Sequence, residues 1–186
     1  MKRKIFIEGK DPMSRAYIGW QDNKLSLYGL KQGYKKSADD LVDIAIEKGQ
    51  KNRIDVLDTY IFPIMHSYRH SIEISLKLIY NRTYGKMPKG QHNIGSIWNE
   101  SVVGQVIKDI PLNIEQSDLK EIKELIGELQ GQDSKADVWR YLMNKEGSLY
   151  FTKWKYIDYQ NLKNTMDYLY NYLDAIYCAV DEILSM

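Results

Sequence analysis

At 186 residues the chain is long enough to bury a sizeable core as one domain. Lys+Arg number 26 and Asp+Glu 25, a balance that excludes a global field drawing the protein to nucleic acid or an acidic membrane; such binding would need a local patch. The single cysteine, Cys178, excludes an internal disulfide or a thiolate metal cluster and suits a reducing compartment, so the cytoplasm is the expected location.

The opening MKRKIFIEG starts basic, but its apolar run breaks at Glu8 and is too short for a secretory signal. No stretch approaches the roughly 20 apolar residues that a membrane-spanning helix needs, and no membrane partner is expected. Residues 1–33 carry Gly9, Pro12, Gly19, Gly29 and Gly33 without a sustained period, which predicts an irregular arm pinned to the body by Trp20, Leu25, Leu27 and Tyr28. Residues 34–186 form the expected single domain.

A first helix is predicted from Ser37, where Ser37 and Asp40 resemble a capping signal, with Ala38, Leu41, Val42, Ala45 and Ile46 as its inner stripe and Gly49 as its C-cap. A second runs to about Arg82. It either starts near Asn52 and kinks at Pro63, or starts near Ile61 with Pro63 in its first turn. After the turn-rich loop RTYGKMPKGQ, His92 to Asp109 makes a third helix, lined inward by Ile94, Ile97, Trp98, Val102, Val106 and Ile107 and stopped by Pro111. Ser117 to Leu129 is a fourth, amphipathic one. In residues 137–151 two aromatic-rich runs flank Asn144-Lys145-Glu146-Gly147, the pattern of a small β-hairpin. The last helix, from about Asp158 to Leu184, carries a seam of Leu162, Met166, Leu169, Leu173, Ile176, Val180 and Ile183, to be packed on the central helix or on a second copy. Long helices with short connections and at most one hairpin make an all-α, antiparallel helical bundle.

Chemistry concentrates on the second helix. At about 100° per residue, Ile64, Met65, Tyr68, Ile72, Leu76 and Ile79 share one side and His66, Arg69, His70, Glu73 and Lys77 the other. A polar stripe is ordinarily a solvated face. This one holds two of the three histidines, and if the helix is central its charges must pair or line a cleft. In that case His70 is a candidate general base oriented by Glu73, with Arg69, Lys77 and His92 stabilising charge on a phosphate. Such a set suits cleavage of RNA without a metal. Zinc on His66, His70, Glu73 and His92 is disfavoured, because Arg69 and Lys77 would repel a cation. His92 can join the stripe only if the preceding loop folds back; Arg82, Lys86 and Lys89 would then form an electropositive rim. Ser67, Ser71 and Ser75 read as helix-packing residues, the tyrosines from Tyr156 to Tyr177 as seam or dimer contacts, and Arg140 as a cation stacked on its aromatic neighbours. No glycine-rich phosphate loop, paired-cysteine spacing or nucleophile elbow occurs, and no cofactor is expected.

The run Pro63 to Lys77, PIMHSYRHSIEISLK, with His92-Asn93-Ile94 and Trp98 after it, resembles helical proteins of the HEPN-like group of bacteria and their phages. So does Trp139-Arg140-Tyr141 ahead of a Gly147 turn and a long final helix; the resemblance spans roughly residues 34–184. It implies an antiparallel helical bundle, commonly a homodimer, here with the final helix near the dimer seam. Many such proteins are metal-independent ribonucleases of toxin, abortive-infection or other anti-phage systems. Others are non-catalytic modules that hold a protein partner or small ligand. The catalytic ones carry an arginine a short, set distance before a histidine, a spacing absent at His66, His70 and His92. What the resemblance leaves matchable is Arg69, His70, Glu73, Lys77 and His92, with RNA or a nucleotide as substrate.

Overall fold

The computed structural model describes residues 5–18, 23–153 and 155–186, with side chains described from Ser26 onward in the first helix. Helix α1 spans Asn23–Gly49, α2 Ile54–Tyr84, α4 Gln116–Gln132 and α6 Tyr159–Ile183. Between them, α3 starts as an α-turn at Ile94–Ser96, widens into a π-helix over Ile97–Val106 and closes at Ile107–Asp109. A short α5 occupies Val138–Tyr141. The fold is all-α, as the periodicity predicts.

Helix α2 is the axis of the bundle. It runs unbroken through Pro63, whose missing N–H leaves one carbonyl without its helical donor, and it buries Ile64, Tyr68, Ile72, Leu76 and Ile79 completely. Gly85 ends it in the left-handed region at φ 65°, returning its N–H to the Asn81 carbonyl at 2.8 Å. Against α2 lie Ala38, Val42 and Ala45 of α1 and the α6 seam of Met166, Leu169, Leu173, Ile176 and Val180. The seam predicted for the last helix is thus filled within the chain.

Polar contacts fix the directions. Lys31, Lys35 and Asp43 of α1 pair with Asp174, Asp167 and Lys163 of α6, so these helices are antiparallel. Leu57 and Arg82 of α2 meet Tyr159 and Asp181 of α6 in rising order, so α2 and α6 run parallel. The chain between α2 and α6 carries it back to the starting end, and only α1 opposes the other two.

Three expectations need correction. The segment 23–33 is helical and part of the body, so the irregular arm is confined to residues before it. Gly29 and Gly33 lower helix propensity, yet the helix continues through both; between them Lys31 is fully buried, ion-paired to Asp174 and set against the rings of Tyr28, Tyr170 and Tyr177. Ser37 is accordingly no cap: it lies inside α1 and its hydroxyl donates to the Tyr34 carbonyl at 3.0 Å. In the arm, Ile5, Phe6, Ile7, Met13 and Ile18 are exposed; Leu27 and Tyr28 are half-buried in α1, while Trp20 and the Leu25 side chain lie outside the described residues.

The expected hairpin shrinks to one antiparallel bridge, Met143 to Leu149, around a turn in which Asn144 Oδ1 accepts from the N–H groups of Glu146 and Ser148. Its first run is helical instead, because Asp133 Oδ1 accepts from the N–H groups of Asp137 and Val138 and so starts α5, burying Val138 and Trp139 together. In α3 Trp98, Val102 and Val106, four residues apart, are all buried. Gly104 belongs to the π-helical stretch: a Cβ there would stand 2.9 Å from the Asn99 carbonyl oxygen.

Candidate functional site

The polar side of α2 is buried at Arg69 and Glu73 and half-buried at His66, His70 and Lys77. The loop after Gly85 folds back so that the start of α3 covers the middle of α2, and the α4–α5 junction covers it from the other side. Arg69 and Glu73 are left 2% and 1% exposed. Charges so placed must pair.

Glu73 holds the cluster together. Its Oε2 lies 3.3 Å from the Arg69 guanidinium, and its Oε1 accepts from Lys77 Nζ at 2.7 Å and faces His92 Nδ1 at 2.9 Å. Burial works against the ionised carboxylate, but the Lys77 ammonium and the His92 ring prevail and hold Glu73 below the usual carboxylate value. An ionised carboxylate only accepts, so the Nδ1 of His92 carries a proton, and in the neutral ring that leaves the lone pair on Nε2. The His92 side chain is 61% exposed and Lys77 is 21% exposed, so the cluster meets solvent at an imidazole whose inner nitrogen is anchored to a buried acid.

Arg69 is spent inside. It donates through Nε to the Asp133 carbonyl at 3.2 Å, lies 3.6 Å from the Asp133 carboxylate, and donates through NH2 to the His92 carbonyl at 2.8 Å. One guanidinium therefore ties together α2, the α4–α5 junction and the residue bearing the exposed imidazole. Gln130 adds a second tie, its Oε1 accepting from the Ile94 N–H at 2.9 Å, while Asn93 caps α3 by accepting from the Ser96 N–H at 2.8 Å. Asp133 is the member that sequence reasoning missed. It follows α4 in a loop, and its only local signal is the spacing to the N–H groups that open α5.

His70 is not oriented by Glu73, contrary to the expectation. Its ring meets Tyr34 of α1 edge-on at 4.5 Å and stacks on His66 at 5.9 Å and 8°, while Glu73 Oε1 is taken by Lys77 and His92. Burial lowers the pKa of both histidines; nearby Arg140 adds to the effect at His66, and the Glu73 charge opposes it at His70. The stripe therefore divides: Arg69, Glu73 and Lys77 converge with His92, and His66 and His70 pack on α1. Nor is Arg82 part of a rim, since it pairs with Asp181 and donates to Ser185 Oγ at 3.1 Å; Lys86 and Lys89 remain exposed.

Ser71 and Ser75 return their hydroxyls to the carbonyls of Tyr68 and Ser71, as packing residues do. Tyr168 and Tyr172 donate to Glu121 and Asp118, binding α6 to α4. Arg140 lies 5.2 Å over the Tyr141 ring, while Trp139 packs inward on Phe62 and Phe151. Among the described residues no group of three or more His, Cys, Asp or Glu is arranged to hold a metal ion, and no helix is long and apolar enough to cross a membrane. Comparison of the chain with protein-family models, with curated proteins and with solved structures found no match.

Proposed function

We propose that this chain is a HEPN-like, metal-independent ribonuclease of bacterial or phage defence, in which His92 rather than His70 is the general base. The observation that carries the reading is the 2.9 Å contact between Glu73 Oε1 and Nδ1 of an imidazole that is itself 61% exposed. A buried carboxylate fixes the ring, and Nε2 is left to take a proton from a substrate hydroxyl. In RNA that hydroxyl is the ribose 2′-OH: its oxygen attacks phosphorus as His92 accepts the proton, and the 5′-oxygen leaves with a proton from water. Lys77, at the cluster's edge, is placed to offset charge on the phosphate oxygens. Arg69 positions both partners of the dyad without reaching substrate.

A second reading is favoured by a different observation. Ile5, Phe6, Ile7, Met13 and Ile18 expose a run of apolar surface ahead of α1, which suits an interaction module that holds a protein partner, including a second copy of itself. The two readings part on one assay. Purified protein incubated with RNA in the presence of a chelator should yield 2′,3′-cyclic phosphate ends, His92→Ala should reduce the rate at least about 100-fold, and His70→Ala should leave it within a few-fold. Absence of cleavage by the wild-type protein, or equal cleavage by His92→Ala, rejects the enzymatic reading in favour of the module.

A further inference from the structure

Away from the Glu73 cluster, a cleft of ≈ 380 Å³ opens between α4, α5, α6 and the 155–158 loop. Its inner wall is Met65, Leu129, Trp139, Met166 and Leu169, all buried residues, and the volume falls in the range of small-molecule pockets. Two methionines and an indole make a wall that adapts to a flat or branched apolar body.

The mouth is polar and carries the exposed ammonium of Lys155. Lys155 reaches from the loop to α4, donating to Gln132 Oε1 at 2.7 Å, a bond that uses one of its three N–H groups. Glu128 and Asp158 line the same cleft, yet among the described residues the Lys155 ammonium pairs with neither and bonds Gln132 instead. Asp158 is already committed, accepting the Asn161 N–H at 2.8 Å as the N-cap of α6. Among the described residues the exposed Lys155 ammonium at the mouth of the apolar hollow has no ion-pair partner.

We infer that this cleft binds a small amphiphile, with an apolar body of one or two rings seated on Met65, Trp139 and Met166 and a single anionic head at Lys155. The site is separate from His92 and does not depend on the catalytic reading.

Two fluorescent probes of the same shape test it: 1-anilinonaphthalene-8-sulfonate, which has the anionic head, and N-phenyl-1-naphthylamine, which lacks it. Titrated into the folded full-length protein, both should saturate at one site. Lys155→Glu should weaken the sulfonate at least tenfold and leave the neutral probe within twofold. Thr165→Trp or Leu125→Trp, each filling the cleft from a half-buried wall position, should abolish binding of both, with an unchanged circular dichroism spectrum showing that the variant is folded. The exposed apolar arm is intact in these variants, so their loss of signal reports the cleft. The inference is overturned if the wild-type protein shows no saturable site, if both filled variants bind as before, or if Lys155→Glu affects the two probes alike.

Discussion

Replacing Glu73 by glutamine keeps the side chain's shape and removes the charge on which three partners depend. Arg69 and Glu73 side chains are 3% and 2% exposed, so the amide would leave a guanidinium in the interior facing only carbonyl oxygens and the more distant Asp133 carboxylate. Breaking a buried pair by removing one partner costs about 3–5 kcal/mol. The amide oxygen still accepts one hydrogen bond and Lys77 can swing to water, which places Glu73→Gln at the lower end, about 3 kcal/mol. For a chain of this size that corresponds to a fall in melting temperature of roughly 6–12 °C, read by circular dichroism at pH 7. The pH dependence checks the cause. The folded-state pKa of Glu73 is depressed, so its contribution is fully present above the unfolded carboxylate value of about 4.3 and is lost as pH falls through the folded value. The gap between wild type and Glu73→Gln should therefore be widest near neutrality and narrow in acid. A melting temperature within about 2 °C of wild type at pH 7, or a gap that does not change with pH, would refute the reasoning.

Other consequences follow from the same geometry. A glycine-to-alanine change inside a helix normally stabilises by up to about 1 kcal/mol, but Gly104→Ala should destabilise by about 1–3 kcal/mol, because the new methyl meets the Asn99 carbonyl at 2.9 Å; a denaturant midpoint at or above wild type would contradict the π-turn assignment. His66 and His70 have folded-state pKa values lowered by burial, so stability is highest above their ordinary value of about 6.5 and falls as pH drops below it. The wild-type melting temperature should fall between pH 7 and about 5.5, and the double variant His66→Asn, His70→Asn should flatten that slope; an unchanged slope would mean that the pair is solvated.

How much was legible in the sequence depended on whether the signal was local. The seam from Leu162 to Ile183 and the inner face of α2 repeat at helical spacing, and period alone places them in the core. The polar stripe was legible as a set, and its proximity to His92 could be stated as a condition on the loop. Which histidine meets Glu73 could not be read, since His70 is one turn from it on the same helix while His92 reaches it only because the loop after Gly85 doubles back. Asp133 and Lys31 were invisible for the same reason: each derives its role from partners far along the chain. Gly29 and Gly33 misled because propensity was weighed without the buried lysines beside them, and Val138-Trp139 read as strand because the Asp133 carboxylate that starts α5 lies outside the aromatic run. The parallel course of α2 and α6 depends on where the intervening helices return the chain, which no periodicity encodes.

Nitrogen-15 NMR of the imidazole reads directly whether Glu73 holds His92 by Nδ1. With the ring neutral, long-range proton–nitrogen correlations should show the Nδ1–H tautomer in the wild-type protein and its loss in Glu73→Ala. An Nε2–H tautomer in the wild-type protein, insensitive to Glu73, would contradict the account.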